Sequence, residues 1–124
     1  MRFLRTSLTI GAFCLACGVQ ADSVRILVQN SPLAGSQYYA ASTVWNEIRV
    51  GDRLALIREP ANRHDRNAIR IEWNGHKLGY LPRAENRAAA HALDNGETLE
   101  ARVTRLRDDP DPWRRLELAV FLKL

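Results

Sequence analysis

The chain is almost without cysteine. Its two thiols among 124 residues, Cys14 and Cys17, both fall within the first 21 positions, so a chain shortened by that stretch has none. Disulfides and cysteine chemistry are then excluded as sources of stability or catalysis. Metal ligation is as poorly provided for, because His64, His76 and His91 are the only histidines and stand at no ligand spacing. A Gly-rich phosphate loop and a nucleophile elbow are missing too. His64 and Asp65 are sequence neighbours and cannot easily form a base and its orienter on one face. Catalysis, a metal centre and a cofactor are therefore not expected. Long apolar runs are also lacking: Leu8 to Val19 is too short to span a bilayer comfortably, and no second run follows. Internal repeats, linkers and low-complexity tracts are absent as well.

What the first 21 residues do have is a pattern. Arg2 and Arg5 precede the apolar run, no acid interrupts it, and Val19-Gln20-Ala21 stands before Asp22. This predicts a secretory signal peptide over residues 1–21, cleaved near Ala21, and a secreted or periplasmic mature protein over residues 22–124. Lipid anchoring at Cys17 ranks below simple cleavage, because Cys14 occupies the place where an attachment box has an aliphatic residue. Cleavage removes Arg2 and Arg5 and no acid, leaving 16 basic against 14 acidic side chains and lowering the net charge from +4 to +2. So mild a field makes binding to polyanions a matter of a local patch.

The remaining hundred or so residues suit one small domain with a single core. They are organised around Pro60 to Pro82. A polar cluster, Arg63 to Asn67, leads into Ile69, Ile71 and Trp73 alternating with Arg70 and Glu72, which predicts a strand with one buried face. Asn74-Gly75 suits a two-residue hairpin turn, and Lys77 to Leu81 return as the partner strand until Pro82 ends it. Gly79 marks close backbone approach.

The other elements fall in around this unit. Val24, Ile26 and Val28 predict a first strand, ended by Asn30-Ser31-Pro32. Gly35 to Ala41 is placed at the start of a second strand or on the loop entering it. Thr43 to Gly51 reads as a turn or one irregular helical turn, and Leu54 to Ile57 as a short buried strand. Pro82 to Asn95 predicts a helix with Ala84, Ala88, Ala89, Ala92 and Leu93 on one face and Gly96 as its C-terminal cap. Leu99, Ala101 and Val103, then Leu116, Leu118, Val120 and Leu122, give two strands joined by an acidic loop. The expected fold is mainly β: a small antiparallel barrel of about six strands with one or two helices.

The polar loop is the candidate site. His64 offers a ring on which a base can stack, and Asp65, acceptor-only when ionised, suits a sugar hydroxyl better than a phosphate. Asn67 can donate to a base or a phosphate, Tyr38, Tyr39 and Tyr80 supply further rings, and Arg58, Arg63, Arg66, Arg70, Lys77 and Arg83 form a cationic margin where they share a face. Blander roles stand beside these. Asp65 and Asn67 bond to their own backbone in such loops. One of Tyr38 and Tyr39 is core if the two adjoin in a strand. Tyr80 is half-buried with an exposed hydroxyl, and Trp45, Trp73 and Trp113 are core or lid residues.

The ordered combination of Gln37-Tyr38-Tyr39, Leu54 to Pro60, Asp65-Arg66-Asn67-Ala68-Ile69, the Asn-Gly turn and Gly79-Tyr80-Leu81-Pro82 resembles the HIRAN domain, over roughly Val24 to Leu122. The resemblance implies an OB-like or SH3-like barrel that captures the 3′ end of a single DNA strand. Tyr38 and Tyr39 would be its paired tyrosines, His64 and Asp65 its base-stacking and hydroxyl-binding pair, Tyr80 the residue beside the strand end and Arg83 the phosphate-binding cation. Gln37 departs from the arginine that commonly precedes the tyrosine pair, and His64 from a tyrosine. The implied partner is single-stranded nucleic acid; the alternative is a protein-interaction or structural module of the cell envelope with a vestigial site.

Overall fold

The computed structural model describes residues 24–124; the leader expected over 1–21, with both cysteines, lies outside them. Its centre is the hairpin of β3 (Ile69–Trp73) and β4 (His76–Tyr80). Asn74 and Gly75 both take positive φ, 45° and 78°, which is the type I′ geometry whose twist matches two antiparallel strands. The alternation in β3 works as read: Ile69 and Ile71 are fully buried, with Arg70 and Glu72 on the other face.

β2 (Arg53–Arg58) pairs along β3, and its first residues also pair with β5 (Thr98–Leu106), which pairs with β6 (Leu116–Lys123), which pairs with β1 (Arg25–Pro32). The six-stranded sheet runs β1-β6-β5-β2-β3-β4, antiparallel throughout. Its outer strands do not pair with each other. The chain just past β1 reaches β4 instead, through two bonds: Ala34 N–H to the Tyr80 carbonyl and Tyr80 N–H to the Ala34 carbonyl, each 2.9 Å. The result is an incomplete barrel, filled by Leu33, Ile48, Ile69, Ile71, Leu78, Leu116, Leu118 and Val120. At Gly79, beside that bridge, a Cβ would collide with the Ala34 carbonyl oxygen. The close approach inferred there is what lets the two ends of the sheet meet.

Several elements differ from expectation. β1 continues through Asn30-Ser31-Pro32 rather than ending before them, because Ser31 is buried and its hydroxyl donates to Glu85 Oε2 at 2.7 Å. Its apolar residues Ile26, Leu27 and Val28, with Val24 just before it, are all exposed: the strand lies at the sheet edge, and a bulge between Leu27 and Gln29 breaks the two-residue period. Gly35 to Ala41 holds no second strand. A 3-10 turn, Ser36–Tyr38, is followed by the short helix α1 (Ala41–Val44) and another 3-10 turn.

The helix expected over 82–95 is divided at Asn86. A 3-10 turn, Arg83–Glu85, precedes α2 (Arg87–Asp94), so Ala84 and Ala88 are exposed while Asn86, Ala89 and Ala90 face the core. Its end is as predicted: Gly96 N–H bonds the Leu93 carbonyl at 3.1 Å and Glu97 N–H the Ala92 carbonyl at 3.0 Å, a Schellman cap. No helix among the described residues is long and apolar enough to cross a membrane.

Candidate nucleic-acid interface

The loop between β2 and β3 is held by its own polar side chains. Asn62 Oδ1 accepts from the His64 N–H at 2.9 Å, and Asp65 Oδ1 from the Asn67 N–H at 2.9 Å, so Asp65 has the backbone bond expected of it. Arg58 braces the loop from outside. It donates to the carbonyls of Arg66 and Ala68, at 3.0 Å each, and grips Asp94 with two bonds of 2.9 and 3.1 Å. The hydrogen bond to Asp94 raises the Arg58 pKa, and the same bond lowers that of Asp94.

The second oxygen of Asp65 has a partner that sequence reasoning missed. Asn86 Nδ2 donates to Asp65 Oδ2 at 2.6 Å, from a side chain only 1% exposed. An asparagine just before a helix ordinarily caps it; this one makes no cap bond and serves the loop instead. With both oxygens engaged, the Asp65 carboxylate is fixed in place while keeping lone pairs for a ligand, since a carboxylate has about four acceptor sites. Asn86→Ala removes this support. We expect it to cost about 1–3 kcal/mol in stability and to weaken ligand binding beyond that loss; thermal unfolding read beside a binding titration checks both.

A second network supports the rings. Glu59, just past β2, accepts at Oε1 from the Tyr80 hydroxyl (2.9 Å) and Asn62 Nδ2 (3.1 Å), and at Oε2 from Arg70 Nη1 (3.3 Å). The Tyr80 hydroxyl is therefore tied inward rather than left to solvent. The Lys77 ammonium sits 4.1 Å from the centroid of Tyr39 and 4.7 Å from that of Tyr80, and the two rings meet edge to face at 5.8 Å.

The titration of these groups follows from their contacts. Burial pushes the Tyr80 pKa up, with the Glu59 hydrogen bond adding to it. Burial opposes the charge on Lys77, but the hydroxyl of Tyr80 and the negative charge of Glu59 outweigh it and raise its pKa. For Glu59, burial favours the neutral acid, yet hydrogen bonds from Asn62 and Tyr80 and the charges of Lys77 and Arg70 leave the pKa below its ordinary value. A carboxylate depressed in the folded state stabilises it above the unfolded pKa, and that contribution fades as pH falls through the folded value. Acidification below about pH 4.5 should therefore destabilise the domain partly through Glu59. Melting temperatures taken down through this range should fall less steeply in Glu59→Gln than in the unaltered protein.

These two networks meet at one groove. It measures about 320 Å³ and is lined by Ala34, Tyr39, Asn62, His64, Asp65, Ala68, Tyr80, Leu81 and Arg83. Five of the eight residues singled out from the sequence thus come together: Tyr39, His64, Asp65, Tyr80 and Arg83. Three do not line it. Gln37 faces a separate cavity beside Ser36 and Trp45, Tyr38 projects outward at 76% exposure, and Asn67 opens onto a cleft with Arg66 and Arg87. The cationic margin divides as well. Arg58, Arg70 and Lys77 are engaged within the protein, whereas Arg63, Arg66 and Arg83 make no ion pair among the described residues. Trp45 and Trp73 pack against the core, but Trp113 is half exposed.

Comparison with known proteins identifies the family of the chain. The sequence profile of the HIRAN domain matches residues 26–124. The helicase-like transcription factor of Oryctolagus cuniculus is 35% identical over 77 residues, and that of Homo sapiens 32% identical over 77. These alignments take in 61% of this chain but 7% of each relative, so the chain spans a small part of those proteins. A crystal structure from Lactobacillus plantarum superposes with a TM-score of 0.70 at 30% identity, over 82% of this chain and 97% of that one. The HIRAN domain of human HLTF shares the fold, with a TM-score of 0.58 at 22% identity over 80% of this chain and 77% of that one. With nearly all of the described residues matched, the chain belongs to the HIRAN domain family.

Proposed function

We propose that this HIRAN domain binds single-stranded nucleic acid and that its groove receives a free 3′ end. The observation that carries the reading is the convergence of Tyr39, His64, Asp65, Tyr80 and Arg83 on one cavity. Bases stacked on aromatic rings gain about 1–3 kcal/mol each. Arg83 supplies a cation for the phosphate behind the end. A fixed carboxylate repels a phosphate but accepts a hydrogen bond from a hydroxyl, so Asp65 fits a strand terminus and opposes a continuous backbone. The name of the curated relatives, helicase-like transcription factor, is consistent with a domain that meets DNA.

Fluorescence-anisotropy titration with short oligonucleotides carrying a free or a phosphorylated 3′ end, at two salt concentrations, tests the reading. Preference for the free end that survives added salt supports it. Binding without end preference that fades steeply with salt reflects only a basic surface and refutes it.

Residues 1–21 act as an export signal, and the supporting observation is their charged, apolar and small-residue order. Mass spectrometry of the protein recovered outside the cytoplasm should find a chain beginning at Asp22; a chain still carrying Met1 contradicts export with cleavage.

A further inference from the structure

Short segments of this domain serve two cavities at once. The segment carrying Tyr39 into the groove turns Gln37 toward a cavity of about 370 Å³ that also includes Asp108 and Arg115. That side is unsuited to phosphate. Arg115 already donates to the carbonyls of Asp109 and Pro110, at 2.7 and 3.2 Å, and Asp109 and Asp111 follow Asp108 in the same loop. The loop carrying Asp65 into the groove turns Asn67 the other way, toward an open cleft of about 510 Å³. Its charged lining is Arg58, Arg66, Arg87 and Asp94.

Charge within this cleft is unevenly used. Arg58 and Asp94 neutralise one another, at 2.9 Å. Arg66 and Arg87 are exposed, and among the described residues neither has an ion pair or a side-chain hydrogen bond. The cleft thus holds two uncommitted guanidiniums and the Asn67 amide, with both local acids accounted for: Asp65 by Asn67 and Asn86, Asp94 by Arg58. Asp65 and Asn67 are two residues apart, so their backbones lie within about 7 Å, a reach of one or two nucleotides along a strand.

We propose that this arginine cleft, between the end of β2, the loop before β3 and the start of α2, holds the phosphate backbone of the strand segment leading into the end site. Arg66 and Arg87 are its cations, and Asn67 is a further donor. The proposal rests on the end-binding reading and deepens it: the ligand is a strand of several nucleotides whose path is set by charge, leaving the groove toward the arginines and away from the acidic loop. Guanidinium suits this role because it stays charged and matches phosphate oxygens in a two-pronged fashion.

The test compares a trinucleotide with a decanucleotide of the same free 3′ end, titrated over a range of salt into the unaltered protein, Arg66→Glu with Arg87→Glu, and the control Arg105→Glu with Arg107→Glu. All four arginines are exposed and unpaired among the described residues, so folding should survive, and the two double variants change net charge equally. The unaltered protein and the control should bind the longer strand more tightly and with a steeper salt dependence. The cleft variant should lose that gain, about tenfold or more, and its slope of log affinity against log salt should flatten by roughly 1.4 for two lost phosphate contacts. Its free-end preference should remain. A length gain kept by the cleft variant, or lost equally by the control, overturns the proposal. Absence of free-end preference in the unaltered protein refutes the end site instead, and the two outcomes are read from different oligonucleotide pairs.

Discussion

Asp65→Ala is expected to abolish discrimination between a free and a phosphorylated 3′ end, and to do so from both directions. Binding to the free end should weaken, because a hydrogen bond to a charged group is worth about 1.5–3 kcal/mol, or roughly ten- to hundredfold in affinity. Binding to the phosphorylated end should strengthen, because the carboxylate that repels the phosphate is gone. The substitution also strands the buried Asn86 amide, which loses its partner at 2.6 Å. Asp65→Ala combined with Asn86→Ala removes both members of that pair and should recover part of the stability, since deleting a buried pair together costs less than orphaning one of them, while the bond from the Asn67 N–H is lost in both variants. The double variant should still fail to discriminate. Equal loss of affinity for both ends in either variant would deny Asp65 the role assigned to it.

Gly79→Ala should produce the largest loss of stability of any single methyl added to this fold. The new Cβ meets the Ala34 carbonyl oxygen head on and comes within 3.2 Å of Leu33 Cδ1. The backbone can retreat only by breaking the Ala34–Tyr80 bridge, with its two 2.9 Å bonds. Overpacking of this kind costs about 1–3 kcal/mol and each lost backbone bond about 1 more. For a domain of this size the melting temperature should fall by roughly 10–30 °C. Gly75→Ala is the contrast: nothing lies within 4 Å of its added Cβ, and only its φ of 78° opposes the change. That variant should lose about 1 kcal/mol. Because Ala34 and Tyr80 also line the groove, Gly79→Ala should impair oligonucleotide binding even below its melting temperature. A shift no larger than that of Gly75→Ala would mean the sheet ends are not held by this bridge.

The two variants also mark what the sequence made legible. The Asn74-Gly75 turn and the β3 alternation were readable because both are local: positive φ at two adjacent positions and a period of two need no knowledge of the rest of the chain. Gly79 was readable as a close approach, though not what approached it. Asp65 was readable because its chemistry and its turn chemistry coincide. The residues that hold the site were not. Asn86 and Glu59 each act on a partner 21 positions away, Asp65 and Tyr80 respectively, and neither carries a local sign of it. Read from sequence, Asn86 falls inside a helix running from Pro82; in the structure the helix breaks there, and its side chain is held by the loop. The exposed apolar start of β1 misled for a related reason, since alternation implies a buried face only where another layer covers the strand. Tyr38 and Tyr39 could not be separated from sequence, because a 3-10 turn rather than a strand decides that one projects to solvent and the other packs on Tyr80.

The most direct test of the groove as the ligand site is a backbone and side-chain amide chemical-shift titration with a short single strand ending in a free 3′ hydroxyl. The account predicts the largest changes at Ala34, His64, Asp65 and Leu81 and at the Asn86 side-chain amide, which reports on the Asp65 carboxylate from behind. Changes confined to the exposed start of β1 or to the acidic loop at Asp108 to Asp111, with the Asn86 amide unmoved, would contradict it.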